Sequence, residues 1–200
     1  MDLYNFQGQP ILHYSSSIIL NEDEVKNINN INYIKNDKNY ISKDKYILNS
    51  NEFSRIKDMF DYGVNHFMKN ILEIDHKLKI LNSWATLNKE NDYHPLHDHQ
   101  NVFLSICYYP QVENCSINFE FKKSIIQENF NFTYNRISPN VFNSNVYSIP
   151  LKSNDIVIFP GWIFHNSSSN NSKNDKIMLA ANYFLKGGFG EDESVGKLKI

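Results

Sequence analysis

The period of the apolar positions changes near residue 78. Before that point the clearest signal runs from Asn51 to Leu72, where Phe53, Ile56, Met59 with Phe60, Val64, Phe67 with Met68, and Ile71 recur every three or four residues. That is the spacing of one helix face. Ser50 or Asn51 supplies an N-cap and Glu52 sits near the positive end of the dipole, so the pattern predicts a helix that covers a sheet. Upstream, Ile11, Tyr14 and the Ile18-Ile19-Leu20 run predict a strand over residues 10–20. The polar stretch from Asn21 to Lys45 carries Val25, Ile28, Ile31 and Ile34 at three-residue spacing, which predicts a second helix despite its asparagines.

Beyond residue 78 the period drops to two. In Lys79–Asn88, Leu81, Ser83 and Ala85 fall on one face and Ile80, Asn82, Trp84 and Thr86 on the other. Val102–Tyr109 is apolar on both faces and is expected to be halted by Pro110; Ser116–Phe121, Tyr147–Leu151, Asp155–Phe159 and Lys176–Leu185 are further strand candidates. Lys152-Ser153-Asn154 reads as a turn, which predicts a hairpin over Tyr147–Phe159. The polar, aromatic stretch Lys122–Asn145 reads as a loop or lid, with Phe130, Phe132, Tyr134 and Arg136 available for contacts. Many short strands favour a sandwich or barrel over a parallel α/β sheet, so the expected class is mainly β within α+β. A single domain over 1–200 is expected: an N-terminal strand and helices over 1–78 packing on the sheet, a β core over 79–186, and a tail over 187–200.

Composition narrows the function classes. The 200 residues are 41% hydrophobic and 21% charged, which is globular. Twenty Lys+Arg against 22 Asp+Glu leave no basic surplus for nucleic acid. The longest apolar run, near Ile177–Leu185, is about nine residues, under half of the roughly 20 that a membrane helix needs. Two cysteines, Cys107 and Cys115, are too few for a disulfide framework or a cysteine-based zinc site, and both sit in apolar strand-like surroundings as expected of buried free thiols. The opening MDLYNFQGQP has no basic-then-apolar leader pattern, so a cytoplasmic location is expected.

The chain has seven histidines. His13, His66 and His76 read as structural. His97 and His99 flank Asp98 just before the Val102–Tyr109 strand, and in extended backbone they project together while Asp98 points the other way. Two imidazoles on one face can take adjacent positions on a metal. The third ligand must come from elsewhere, and His165 is the natural candidate, just beyond an apolar strand in Phe159-Pro160-Gly161-Trp162-Ile163-Phe164-His165. Solvated or packed histidines are the bland alternative.

The runs Asn82-Ser83-Trp84-Ala85, His97-Asp98-His99, Leu104–Tyr109, Phe159–His165 and Lys176–Tyr183 resemble, in order, the motifs of a group of small 2-oxoglutarate/iron(II) oxygenases of bacteria and marine phages. The resemblance covers roughly residues 80–185. It implies a double-stranded β-helix, the cupin-like jelly roll, and extends the cytoplasmic expectation to a phage's host. It also implies Fe(II), 2-oxoglutarate and O2 as cofactor and co-substrates, with His97, His99 and His165 as metal ligands and no catalytic residue beyond the metal centre. Lys176 falls where the group has an arginine for the distal carboxylate of 2-oxoglutarate; lysine keeps the charge and loses the bidentate fork. Tyr109 and Trp84 are implied beside the co-substrate, and Trp162, Tyr108 and Arg136 are candidate substrate contacts. Phe103 and Phe159 are further aromatics placed near the site. Ile106-Cys107 replaces the group's Gly-Val, a bulkier pair that would narrow the pocket. The wider superfamily uses His-x-Asp with a distal His; here the i+2 residue is His99, and Asp98 could substitute only through a bulge.

The implied reaction is hydroxylation of a small-molecule or peptide substrate with release of succinate and CO2. Two other classes stand beside it: a cupin-like three-histidine metalloenzyme without 2-oxoglutarate, and a non-catalytic jelly-roll binding protein. Neither nucleic acid nor membrane is an expected partner, and an open sheet edge allows a homodimer.

Overall fold

A computed structural model of the chain describes residues 1–6, 8–121, 123–130, 133–140, 142–189 and 198–199. The chain runs β1 (Asp2–Phe6), β2 (Gln9–Ser15), α1 (Glu22–Asn29), β3 (Tyr33–Asn36), β4 (Asn39–Ser42), α2 (Ser54–His66), β5 (Leu78–Asn88), β6 (His94–His97) and β7 (Leu104–Gln111). It continues through β8 (Cys115–Glu120), α3 (Ile125–Asn129), β9 (Val146–Leu151), β10 (Asp155–Pro160), β11 (Phe164–Ser167), β12 (Lys176–Leu185) and the short pair β13 (Gly188–Phe189) and β14 (Leu198–Lys199). Eight strands form one antiparallel sheet in the order β1-β2-β10-β7-β12-β5-β4-β3, and four form a second in the order β6-β11-β8-β9. The two sheets make a jelly roll.

The central strands β7, β10 and β12 of the larger sheet are buried on both faces, which is why they read as continuous apolar runs. On β7, Leu104, Ile106 and Tyr108 enter the core beneath the helices, while Cys107 and Tyr109 enter the core between the sheets. On β10, Ile156 and Ile158 alternate with Val157 and Phe159 in the same way. The predicted helix over Asn51–Leu72 supplies the covering layer. It comprises a 3₁₀ turn at Asn51–Phe53 capped by Ser50, then α2, then a π-helical turn at Phe67–Ile71. Ile56, Phe60, Val64 and Phe67 pack it against the larger sheet. Gly63 sits where the helix comes closest: an added Cβ would lie 3.0 Å from Ile158 Cδ1 and 3.3 Å from Ile106 Cδ1.

Four expectations change. The helix predicted across residues 25–34 ends at Asn29; Asn21 and Glu24 form its capping box, and Ile34 lies instead in the hairpin of β3 and β4. The strand over residues 10–20 stops at Ser15, leaving Ile19 exposed. The N-terminal third therefore gives four strands to the larger sheet where one was expected. The hairpin over Tyr147–Phe159 does not form. β9 pairs with β8 in the smaller sheet and β10 pairs with β2 and β7 in the larger one, so the turn at Lys152-Ser153-Asn154 carries the chain between sheets. Pro110 does not end its strand, because β7 continues to Gln111 through a register shift against β12 that accommodates the missing N–H.

Within Lys122–Asn145, a capping box between Ser124 and Gln127 starts the one-turn α3, and the remaining described residues are irregular. Phe132, expected as a lid contact, lies outside the described residues, as does most of the expected C-terminal tail. No helix among the described residues is long and apolar enough to cross a membrane.

Candidate metal centre

Three histidines converge between the sheets. β6 and β11 pair with His97 opposite His165, and β6 ends there. His99 follows in a non-strand segment whose placement depends on the Pro160-Gly161 turn: its backbone N–H donates to the Gly161 carbonyl at 2.8 Å. The ligand-capable nitrogens of His97, His99 and His165 all lie within 4.8 Å of one another. Asp98 is not part of this cluster, so the i+2 residue, not the intervening acid, joins the pair.

Hydrogen bonding fixes the tautomers. His97 Nδ1 lies 2.8 Å from the Pro95 carbonyl and His165 Nδ1 2.9 Å from the Ile163 carbonyl. A carbonyl only accepts, so in both rings Nδ1 carries the proton and Nε2 keeps its lone pair. His99 Nδ1 lies 2.7 Å from Ser105 Oγ, whose hydroxyl donates to Asn182 Oδ1 at 2.8 Å. Ser105 therefore accepts from His99, which leaves Nε2 bare there too. Three bare Nε2 atoms in one cluster are a donor set for a divalent transition metal.

A fourth histidine has the opposite tautomer. His94 stacks on His97 with ring centroids 4.3 Å apart, but its Nδ1 accepts from Asn39 Nδ2 at 3.3 Å, so its Nε2 carries the hydrogen. It lines the pocket without offering a lone pair there. Burial holds all four rings neutral, reinforced by neighbouring imidazoles at His94, His99 and His165: His94 is pushed down to about 3, His99 to about 4 and His165 well below the usual histidine range, while His97 is lowered by burial against the opposing pull of the Pro95 carbonyl and Asp98.

Aromatic rings pack against the cluster. Trp84 meets His99 edge-on at 5.5 Å, and Phe159 meets His165 edge-on at 4.6 Å. Lys176, the first residue of β12, is 3% exposed in the same pocket. Its Nζ lies 3.3 Å from Cys115 Sγ and 5.7 Å from the centre of the Tyr109 ring. Burial depresses this ammonium, and the Cys115 contact offsets part of the effect. Among the described residues it forms no ion pair with a carboxylate. Both cysteines are buried free thiols, and burial raises Cys107 to about 12.

Of the sequence-predicted residues, His97, His99, His165, Lys176, Tyr109 and Trp84 line one pocket. The three substrate candidates do not. Tyr108 points to the opposite face of β7, into the core under the helices, and its hydroxyl donates to Asn154 Oδ1 at 2.9 Å. Trp162 is half exposed, donates to Gln9 Oε1 and packs edge-on against Phe103, away from the pocket. Arg136 is exposed. Ile106 also faces α2, so it does not narrow the pocket; Cys107 is the residue of that pair which lines it. Sequence reasoning missed Thr86, Asn88, His94, Asn166 and Met178 as lining residues. Extending the Trp84/Thr86 alternation by one step reaches Asn88, and continuing it on β12 from Lys176 reaches Met178.

A family model described as "Putative 2OG-Fe(II) oxygenase" matches residues 82–182, half of the chain and the segment that holds the whole cluster. The chain belongs to the 2OG-Fe(II) oxygenase family. It is an oxidoreductase whose family uses Fe(II), 2-oxoglutarate and O2. No match was found among curated proteins. Solved structures share the fold at low identity. A 2OG-Fe(II) oxygenase family oxidoreductase of Burkholderia pseudomallei has a TM-score of 0.60 at 8% identity, over 86% of this chain and 83% of that one. HygX of Streptomyces hygroscopicus, solved with nickel, 2-oxoglutarate and hygromycin B, gives 0.57 at 11%, over 86% and 82%. A prolyl-4-hydroxylase of Pseudomonas putida gives 0.57 at 7%, over 88% and 93%.

Proposed function

We propose that this oxygenase binds Fe(II) through Nε2 of His97, His99 and His165, holds 2-oxoglutarate with its distal carboxylate on Lys176, and hydroxylates a small-molecule or peptide substrate with release of succinate and CO2. The observation that carries the reading is the shared tautomer of the three rings: each Nδ1 proton is taken by Pro95, Ser105 or Ile163, and each Nε2 is left to a metal. Fe(II) held by these three rings would supply an O2-activating, redox-active Lewis acid.

The chain's own contribution is positioning and electrostatics. Neutral imidazoles add no charge to the metal, so an anionic chelating co-substrate is attracted to it. Lys176 is, among the described residues, the one buried lysine on the pocket wall, and a carboxylate there gains a charge-assisted hydrogen bond worth about 1.5–3 kcal/mol. Trp84, Phe119 and Phe159 surround the rings and exclude water. Lysine serves where a single charge suffices, because the Tyr109 ring lies beside it and Cys115 holds the ammonium in place.

Anaerobic titration of the protein with Fe(II) and 2-oxoglutarate tests the reading. The expected result is a weak visible charge-transfer band that saturates with 2-oxoglutarate and is lost in His165→Ala. Absence of the band at millimolar 2-oxoglutarate overturns the reading.

A further inference from the structure

Asn88 and Lys176 are direct partners in the pairing of β5 with β12. Residues directly opposite in an antiparallel pair send their side chains to the same face, and both line the pocket of the histidine cluster. Asn88 is 1% exposed, and its Nδ2 is buried with no hydrogen-bond partner among the described residues. A buried amide hydrogen pair without an acceptor costs free energy that a folded protein rarely leaves standing unless a ligand meets it.

The orientation of this amide is set from behind. Asn36 Nδ2 donates to Asn39 Oδ1 at 2.9 Å, which turns Asn39 Nδ2 toward Asn88 Oδ1 at 3.4 Å and His94 Nδ1 at 3.3 Å. With its oxygen engaged by Asn39, Asn88 has only its NH₂ left to offer. The Asn88 backbone carbonyl accepts independently from Asn170 Nδ2 at 3.0 Å, so the strand end is held without the side chain.

We propose that Asn88 is a second donor to the distal carboxylate of the co-substrate, supplying from the facing strand a directional N–H bond beside the Lys176 charge. The inference rests on the reading that Lys176 anchors that carboxylate. Lysine acts as a point charge where arginine would present a planar fork. The second directional donor then comes from the neighbouring strand, and together the two select a dicarboxylic 2-oxo acid over its monocarboxylic counterpart.

Calorimetric titration of the nickel-loaded protein tests this without turnover, using 2-oxoglutarate and 2-oxopentanoate, which has the same chelating end and chain but a methyl group in place of the distal carboxylate. Asn88→Ala is expected to weaken 2-oxoglutarate binding roughly tenfold or more and to leave 2-oxopentanoate binding within about twofold. Asn88→Asp keeps the shape and the acceptor for Asn39 but replaces the donor by a like charge. It is expected to weaken 2-oxoglutarate further, and it carries the test if the alanine variant fails to fold. Unchanged 2-oxoglutarate affinity in the folded variants, or equal loss for both ligands, overturns the proposal. Lys176→Ala separates the two ideas: if it leaves the preference for 2-oxoglutarate over 2-oxopentanoate intact, the anchor itself is misassigned.

Discussion

His99 Nδ1 lies 2.7 Å from Ser105 Oγ, and the hydroxyl proton is committed to Asn182 Oδ1. Ser105 on β7 thus relays the acceptor character of Asn182 on β12 to a ring outside both strands, and fixes which nitrogen of His99 is bare. Removing the hydroxyl frees the ring to rotate or change tautomer, while leaving His97 and His165 on their backbone carbonyls. Ser105→Ala is expected to weaken nickel or cobalt binding by roughly 10- to 100-fold, as measured by competition with a chelator. Ser105→Thr, which keeps the oxygen, is expected to recover most of that loss. Equal metal affinity in the wild type and the alanine variant would show that the tautomer is set elsewhere.

Lys176 is held in its pocket at a cost. It is 3% exposed, its Nζ donates to the Cys115 thiol sulfur at 3.3 Å, and burial pushes its pKa down. An ammonium so placed stabilises a bound anion and destabilises the apo protein. Lys176→Met keeps the length of the side chain and removes the charge. It is expected to raise the melting temperature of the metal-free protein by roughly 2–8 °C, about 1–2 kcal/mol, and to abolish saturable 2-oxoglutarate binding. A lower melting temperature in a calorimetric scan would show that the cation is satisfied in the apo state.

The histidine cluster also sets a pH dependence. Burial lowers His99 to about 4 and His94 to about 3, and lowers His97 and His165 as well, from the ordinary histidine value of 6.5. Between pH 6.5 and about 4 the unfolded chain therefore binds more protons at these rings than the native one, so stability falls as pH falls through that window. Metal-free protein is expected to lose melting temperature steadily from pH 7 to pH 4.5, and His94→Gln should flatten part of the slope. A flat profile over that range in the wild type would contradict the neutral, buried state of the rings.

Much of this site was legible because its chemistry sits on regular alternation. His97, His99 and His165 could be proposed from their spacing within a small set of histidines, whereas Trp84, Lys176 and Tyr109 were assigned by the family resemblance, on strands that the period-two pattern had marked out. The misreadings arose where alternation alone had to choose a face or a partner. Tyr108 and Tyr109 are adjacent in an apolar run buried on both sides, and only the position of α2 decides which of them meets the histidine pocket. The turn at Lys152-Ser153-Asn154 looks like a hairpin turn locally, but β8 offers β9 an apolar partner and β2 and β7 already flank β10. Non-local pairing decided both, and turn chemistry carries no record of it. Asn88 was invisible for another reason: its meaning lies in an unmatched hydrogen-bond donor, which a sequence cannot display.

Gly161 links the histidine pair to the distal histidine. An added Cβ there would lie 2.6 Å from Val102 Cγ1 and 2.7 Å from the Val102 backbone oxygen, closer than real Cβ contacts come. The same residue accepts from the His99 N–H through its carbonyl and donates to the Phe103 carbonyl at 3.2 Å, so both ends of the connection from His99 to β7 are tied to it. Moving Val102 away must therefore drag His99 from its partners. Gly161→Ala is expected to cost about 1–3 kcal/mol of stability and to weaken metal binding with it, although the residue touches no ligand atom. Because the clash includes backbone, the compensating Val102→Ala should restore only part of the stability in a double-mutant cycle. Full additivity of the two substitutions, measured by denaturant unfolding of the metal-free protein, would show that the two residues do not press on one another.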